Sequence, residues 1–225
     1  FNKVFFIGSG FSVSNQTKLL IKLGQIPVYI AKSPNLGEKD GLYRRNKYIN
    51  FNINPKNNFE SFLEEILSEQ IPLTYVEGYD DTLHCVQKIW WPKSPKVVFT
   101  AANSIFDDFF KIWVALKIEK GTKLVIGQHG GFFGSGKWEV TEEHDISISD
   151  KYFSWGWNAE GVEPLPSQKM INLNRFAYNK QGSLLHVLGA VPRYSIRMFS
   201  ATTSSQMLKY IDEQILFISF LDRAI

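Results

Sequence analysis

Lys123-Leu-Val-Ile-Gly-Gln-His-Gly-Gly131 is the stretch that decides the fold of this chain of 225 residues. Its β-rich first half ends in a glycine-flanked turn, as strands do at the edge of a parallel sheet where ligands usually bind. The glycines let the backbone approach a ligand, and the His129 imidazole exchanges a proton near neutral pH. The stretch therefore predicts an α/β protein with His129 at a functional edge, although a structural histidine in a tight turn fits these residues equally well.

Strand-like and helix-like segments alternate before this stretch. Two βαβ units are predicted, because apolar runs end at glycine-rich turns and are followed by helical stripes. Their order predicts a parallel sheet with right-handed crossovers and helices on both faces. The predicted elements are strands at 3–7, 27–31, 96–100 and 123–126, and helices at 15–23, 59–69, 81–90 and 107–119.

The pattern changes after Gly131. A charged, glycine-rich loop is predicted up to 150, then a short strand and turn at 151–157 and a polar linker. A strand at 183–188 and a helix from 204 onward predict the start of a second α/β domain. Because Phe1 stands where a methionine would start the chain and the last helix has no stop signal, we expect a fragment of a longer protein.

The predicted organisation follows from these segments. An N-terminal Rossmann-like domain, incomplete at its start, occupies 1–157, and a linker occupies 158–182. Residues 183–225 are predicted to form the truncated start of a C-terminal α/β domain.

The composition excludes several classes of protein. Hydrophobic residues make up 44% and charged residues 21% of the chain, which suits one large domain or two small ones. The net charge of +3 comes from scattered lysines and arginines, so no nucleic-acid partner is expected. Cys85 is the only cysteine, which excludes an intramolecular disulfide and favours a reducing compartment. No apolar run is long enough to predict a membrane span.

A second histidine lies in the acidic part of the predicted loop. A carboxylate beside a histidine fixes its tautomer and tunes its pKa, so Glu143, His144 and His129 are the candidate catalytic residues. No spacing here matches a helix-borne zinc motif, and no metal is expected. A solvated acidic loop and the metal site of a hydrolase remain alternatives. The other carboxylates of the segment belong to Glu139, Glu142, Asp145 and Asp150.

Basic residues follow the last predicted strand. Arg193, Tyr194 and Arg197 would lie at an edge of the second sheet, and guanidinium groups bind phosphate oxygens in pairs. Gly130 and Gly131 would let the backbone approach the same ligand from the first domain. Surface arginines near a helix start are the structural alternative.

Four stretches together resemble a family of transferases encoded in bacterial surface-carbohydrate (O-antigen) biosynthesis clusters. This family is distantly similar to capsule sugar transferases of the Kdo type and to CDP-glycerol glycerophosphotransferases, which share a GT-B arrangement. The resemblance covers 95–221 and depends on Gly127-Gln-His-Gly-Gly131, Glu143-His144, Ile148-Ser-Asp-Lys-Tyr-Phe-Ser-Trp-Gly-Trp157 and Val191-Pro-Arg-Tyr-Ser-Ile-Arg-Met-Phe-Ser200.

The resemblance implies a GT-B-like, metal-independent transferase that needs no cofactor. It would move a sugar or related unit from a nucleotide-activated donor to a glycan or lipid-linked glycan acceptor. Its place would be the cytoplasm, and peripheral association with the inner face of the membrane is compatible with that role. A family histidine maps onto His129, as a base or as a hydrogen-bond donor to developing phosphate charge. The alternative is a noncatalytic module in which the same turn only binds a glycan or nucleotide.

Overall fold

The computed structural model describes residues 3–27, 54–130, 132–171, 179, 181–189 and 206–221. The chain divides into two compact units, Phe1–Asn172 and Leu173–Ile225. The first contains the β-sheet, and the described part of the second consists mainly of an irregular segment and one helix. The domain limits drawn from the sequence stay predictions.

A five-stranded parallel sheet forms the centre of the first unit. Neighbouring strands are paired in register and in the same direction throughout. This confirms the predicted α/β class with a Rossmann-like parallel sheet, whereas the predicted strand at 27–31 lies outside the described residues apart from Pro27. In spatial order the strands are β1 (Val4–Phe6), β2 (Val97–Thr100), β3 (Lys123–Gly127), β4 (Lys151–Ser154) and β5 (Val162–Pro164).

Several helices begin where a polar side chain caps them. The side chains of Ser12, Asn57 and Asp107 accept hydrogen bonds from backbone N–H groups of the first turn. In the described part of the chain the helices are α1 (Val13–Lys22), α2 (Asn58–Gln70), α3 (Tyr79–Lys88), α4 (Asn103–Phe106), α5 (Asp108–Ile118), α6 (Val140–Ile148) and α7 (Gln206–Ser219), with a short 3-10 helix at Leu73–Tyr75. No helix in these ranges is both long and apolar enough to span a membrane.

The two faces of the sheet are packed differently. On one face Phe5 and Leu124 pack in a core with Val86 of α3 and Phe110 of α5. On the other face Leu19 of α1 lines a cavity together with strand residues. The helices that follow β1 and β2 therefore leave the sheet toward opposite faces. The turns after these strands lie at the carboxyl edge of the sheet, where ligands of parallel α/β sheets usually bind.

Two predictions about irregular segments are wrong. The charged loop expected before residue 150 contains α6, which begins where the Glu139 side chain accepts from the N–H of Thr141. Acidic residues of its first turn suit the positive end of the helix dipole. The segment 158–182, expected to be an irregular linker, contains β5 at Val162–Pro164. Only Val162 of that strand is buried. The sequence therefore has no apolar run there that would predict a strand.

The strand predicted at 183–188 is also not formed. Residues 181–189 are in neither a helix nor a strand. Leu185 and Val187 are 83% and 77% exposed, so the apolar run has no buried face. An apolar run becomes a strand only when a partner supplies ladder hydrogen bonds, and no described strand pairs with this one.

Candidate active site at the carboxyl edge of the sheet

The turns that follow β1 and β2 are in direct contact at this edge. The N–H of Ala101 donates to the carbonyl of Gly8 at 3.0 Å. Gly8 has a φ of +53°, and a Cβ built there would lie 1.8 Å from the Asn103 side-chain oxygen. Only glycine therefore fits this position, and the predicted glycine turn serves to bring two edge loops together.

Gln128 fixes the next turn along the edge. Its side chain is 2% exposed, and its Oε1 accepts from the Trp155 N–H at 2.8 Å and from the Trp157 Nε1–H at 2.9 Å. Its Nε2 donates to the carbonyls of Gly130 and Phe133 at 2.5 and 3.4 Å. One buried amide thus joins the loop after β3 to the loop after β4, so the turn that carries His129 is held from inside.

The segment after β5 holds the same turn from the other side. Gln168 Nε2 donates to the Gln128 carbonyl at 2.7 Å, while Gln168 Oε1 accepts from Trp155 Nε1 at 2.8 Å. Lys169 Nζ donates to the His129 carbonyl at 2.5 Å. Sequence reasoning missed both residues because they lie in a polar segment with no periodic pattern.

His129 lies half-buried between two aromatic rings. Its imidazole meets Phe106 and Phe133 at centroid distances of 6.2 and 5.2 Å, nearly perpendicular to both. Its Nδ1 is buried and has no hydrogen-bond partner in the described structure. Burial, and then the charge of Lys169, lower the pKa of His129, and Glu139 acts in the opposite direction. The neutral, proton-accepting imidazole is therefore favoured at neutral pH.

The other predicted catalytic residues do not join His129. Glu143 and His144 are exposed on α6, and the charged groups that shift the pKa of His129 are Lys169 and Glu139. His144 instead lines a groove beside α5. The carboxylate that acts on the His129 imidazole is therefore that of Glu139 and not the predicted one of Glu143.

The predicted ligand-binding residues are only partly described. Gly130 is half-buried, and its carbonyl is held by Gln128. Gly131, Arg193, Tyr194 and Arg197 lie outside the described residues.

A second set of buried polar side chains lies on α4, α6 and β4. The side-chain oxygens of Ser104, Asp145 and Tyr152 are inaccessible, and none has a partner in hydrogen-bonding geometry. Burial raises the pKa of Asp145, although the nearby Ser104 hydroxyl and the charge of His144 partly oppose the shift. Burial and the charge of Asp145 also raise the pKa of Tyr152. Burial therefore disfavours the charged forms of Asp145 and Tyr152.

A family comparison classifies the chain. The model of the LIC12162 family transferases matches residues 1–225. The chain belongs to this family of transferases. No curated protein and no solved structure matches it. The transferase class implied by the sequence resemblance is thereby confirmed.

The transferase has an apolar cavity next to the turn. Its volume is about 500 Å³, and Gly127, Ser154 and Gln168 belong to its wall. A Cβ on Gly127 would come within 2.8 Å of the Phe99 ring, so this position needs glycine because of close packing. The imidazole of His129 contacts Phe106 and Phe133 instead and is not part of the cavity wall.

The described part of the transferase assembles no metal centre. It contains no group of three His, Cys, Asp or Glu side chains that could hold an ion. The carboxylates around His144 are spread along α6, where Asp145 is buried and Glu143 is exposed. The metal site of the alternative hydrolase is therefore not formed by these residues.

Proposed function

We propose that this transferase moves a sugar or related unit from a nucleotide-activated donor to a glycan or lipid-linked glycan acceptor. The family membership supports a transfer reaction, and the resemblance of the edge motifs supports a GT-B-like glycosyltransferase of bacterial surface-polysaccharide (O-antigen) synthesis. The observation that carries the proposal is the half-buried His129, which favours its neutral form at the carboxyl edge of the sheet. A cytoplasmic site at the inner face of the membrane suits a lipid-linked acceptor.

The reaction uses His129 as a general base. The imidazole accepts the proton of an acceptor hydroxyl while the hydroxyl oxygen attacks the anomeric carbon of the donor. The bond from that carbon to the donor phosphate breaks, and the nucleotide leaves with its phosphate charge. The resemblance assigns the donor phosphate to Arg193 and Arg197, whose guanidinium groups would stabilise the leaving charge without a metal ion or a cofactor.

The fixed turn gives this assignment its geometry. The Gln128 side chain bonds the carbonyl of Gly130 after His129 and the N–H of Trp155 in the neighbouring loop. Gln168 donates to the carbonyl of Gln128, just before His129. A general base acts most efficiently when it is already positioned before the substrate binds, because no rearrangement of the base then adds to the activation free energy of the transfer. The hydrogen-bonded turn thus supports a catalytic histidine better than a freely moving one.

Replacement of His129 tests the base. We expect His129→Ala in the full-length protein to lower kcat about 10²- to 10⁴-fold, the usual contribution of a general base. The donor nucleotide is first found by calorimetric titration of CMP, CDP, UDP, GDP and dTDP. Transfer is then followed as release of that nucleotide.

Two further histidines serve as comparisons. His84→Ala, on the exposed side of α3, is expected to leave transfer unchanged. His144→Ala is expected to have a small effect because that residue does not contact the edge turn. Unchanged transfer in His129→Ala would contradict the base assignment, and donor binding without turnover in the wild type would favour a noncatalytic binding module.

A further inference from the structure

We propose that Lys169 is a phosphate-binding residue of this site, which takes the anionic phosphate of the donor beside His129. The inference rests on the proposed function for the identity of the donor. It assigns a role to a residue in a segment that the sequence pattern marks only as a linker.

The position of the ammonium group is the first observation. Lys169 Nζ donates to the His129 carbonyl at 2.5 Å and lies 5.7 Å from the centroid of the Trp155 ring. The residue is exposed at this point. A lysine ammonium carries three N–H donors, so two remain for a ligand once the carbonyl is bound.

Among the described residues, the ammonium group of Lys169 forms no ion pair. In the described parts of the chain the lysines in ion pairs are Lys111, Lys123, Lys151 and Lys209, and no carboxylate pairs with Lys169. The charge nevertheless reaches the imidazole, since it contributes to the lowered pKa of His129. An exposed cation that no described carboxylate pairs with, beside a candidate base, is suited to bind an anion.

The neighbouring glutamine shows that a charge is not needed to hold this turn. Gln168 holds the carbonyl of Gln128 with a neutral amide at 2.7 Å, and Lys169 holds the next carbonyl in the same way. A purely structural role at position 169 would be served by any donor of suitable length. The positive charge has a separate consequence, because it adds to burial in lowering the pKa of His129 and can stabilise a phosphate whose charge develops during transfer.

Calorimetric titration with inorganic pyrophosphate tests the proposal on the full-length protein. Lys169→Gln keeps an N–H donor and loses the charge, so we expect pyrophosphate to bind about tenfold to a hundredfold more weakly. Lys169→Arg keeps the charge and is expected to bind within about threefold of the wild type. Lys120→Gln removes an exposed lysine just before β3, at the opposite edge of the sheet, and is expected to bind as the wild type does.

Equal pyrophosphate binding by Lys169→Gln and the wild type would overturn the proposal, as would wild-type binding of acetate as tight as that of pyrophosphate. If Lys169→Gln does not fold, NMR of the wild-type protein with ¹³C-dimethylated lysines decides. Pyrophosphate should then shift the Lys169 methyl signal and leave the Lys120 signal in place, and an unmoved Lys169 signal overturns the role.

The test separates this inference from the proposed function. If Lys169→Gln binds pyrophosphate normally while His129→Ala loses transfer, the lysine role fails and the transferase assignment stands. If pyrophosphate binding depends on Lys169 but no nucleotide-activated sugar is consumed, the anion site stands and the proposed donor is wrong.

Discussion

Two groups of buried polar side chains lie close to the same sheet, and they differ in how they are satisfied. Around Gln128, all four hydrogen-bonding positions of one amide are used. Around Asp145, neither carboxylate oxygen has a partner in hydrogen-bonding geometry. A satisfied buried group fixes a structure, whereas an unsatisfied one opposes folding through lost solvation. The side chain of Gln128 therefore stabilises the turn that carries His129, whereas the carboxyl group of Asp145 makes the free energy of unfolding depend on pH.

Truncation of Gln128 should have the largest effect on folding. Gln128→Ala leaves the Trp155 N–H, the Trp157 Nε1–H and the carbonyl of Gly130 without their partner. We expect the free energy of unfolding to fall by about 3–5 kcal/mol, because several buried polar groups lose their hydrogen bonds together. Urea denaturation measures this loss.

The control is Gln70→Ala at the exposed end of α2, which should change the free energy of unfolding by less than about 0.5 kcal/mol. If Gln128→Ala and Gln70→Ala were equally stable, the hydrogen bonds of the buried Gln128 side chain would not stabilise the fold more than an exposed glutamine does.

Replacement of Asp145 should have a smaller effect of opposite sign. Burial raises the pKa of this carboxyl above its ordinary value near 3.8, so the charged form is disfavoured in the folded protein. The wild type therefore has its full stability from this group below about pH 4 and loses it as the pH rises through the folded-state pKa. We expect Asp145→Asn to be about 1–2 kcal/mol more stable at pH 7, as measured by urea denaturation.

The pH dependence gives this prediction its control. The advantage of Asp145→Asn should shrink toward pH 4 and disappear below about pH 3, where the wild-type carboxyl is protonated in both the folded and the unfolded state. Tyr152→Phe removes a buried hydroxyl whose pKa is raised, so its effect should not vary between pH 4 and 8. A variant Asp145→Asn that is less stable than the wild type at pH 7 would show that the carboxylate is satisfied after all.

The smallest predicted effect concerns the charges around His129. Glu139 raises the pKa of His129 and Lys169 lowers it, so their removal should move the pKa in opposite directions. We expect the acidic limb of the kcat/KM profile to move to lower pH in Glu139→Gln and to higher pH in Lys169→Gln. NMR titration of the His129 ring protons measures the same shifts directly.

Glu143→Gln is the matched control on the exposed side of α6, and it should leave the profile in place. A shift of the Glu139→Gln profile to higher pH would contradict the placement of that carboxylate.

Most elements of the first unit could be predicted from local sequence. The strands β1, β2 and β3 and the helix α5 lie within a residue or two of their predicted limits, because each has a clear apolar period and a turn or cap at its end. The helix α6 was missed because its apolar residues form no continuous stripe, and β5 because only one of its side chains is buried.

The site was predicted less completely than the fold. His129 was found because it follows a strand in a glycine-rich turn. Lys169 and Glu139 gave no such signal, since each reaches the imidazole from a segment distant in sequence or irregular in pattern. Glu143 was favoured by sequence adjacency to His144, yet adjacent residues on a helix do not share a face.

The sequence by itself determined that an apolar strand ends in a turn bearing a histidine, because backbone preferences and hydrophobic periodicity act over a few residues. Only the tertiary structure decided which groups surround that histidine. Phe106, Lys169 and Glu139 approach it from separate parts of the chain, and hydrogen bonding and charge depend on distance in space, which local sequence does not encode.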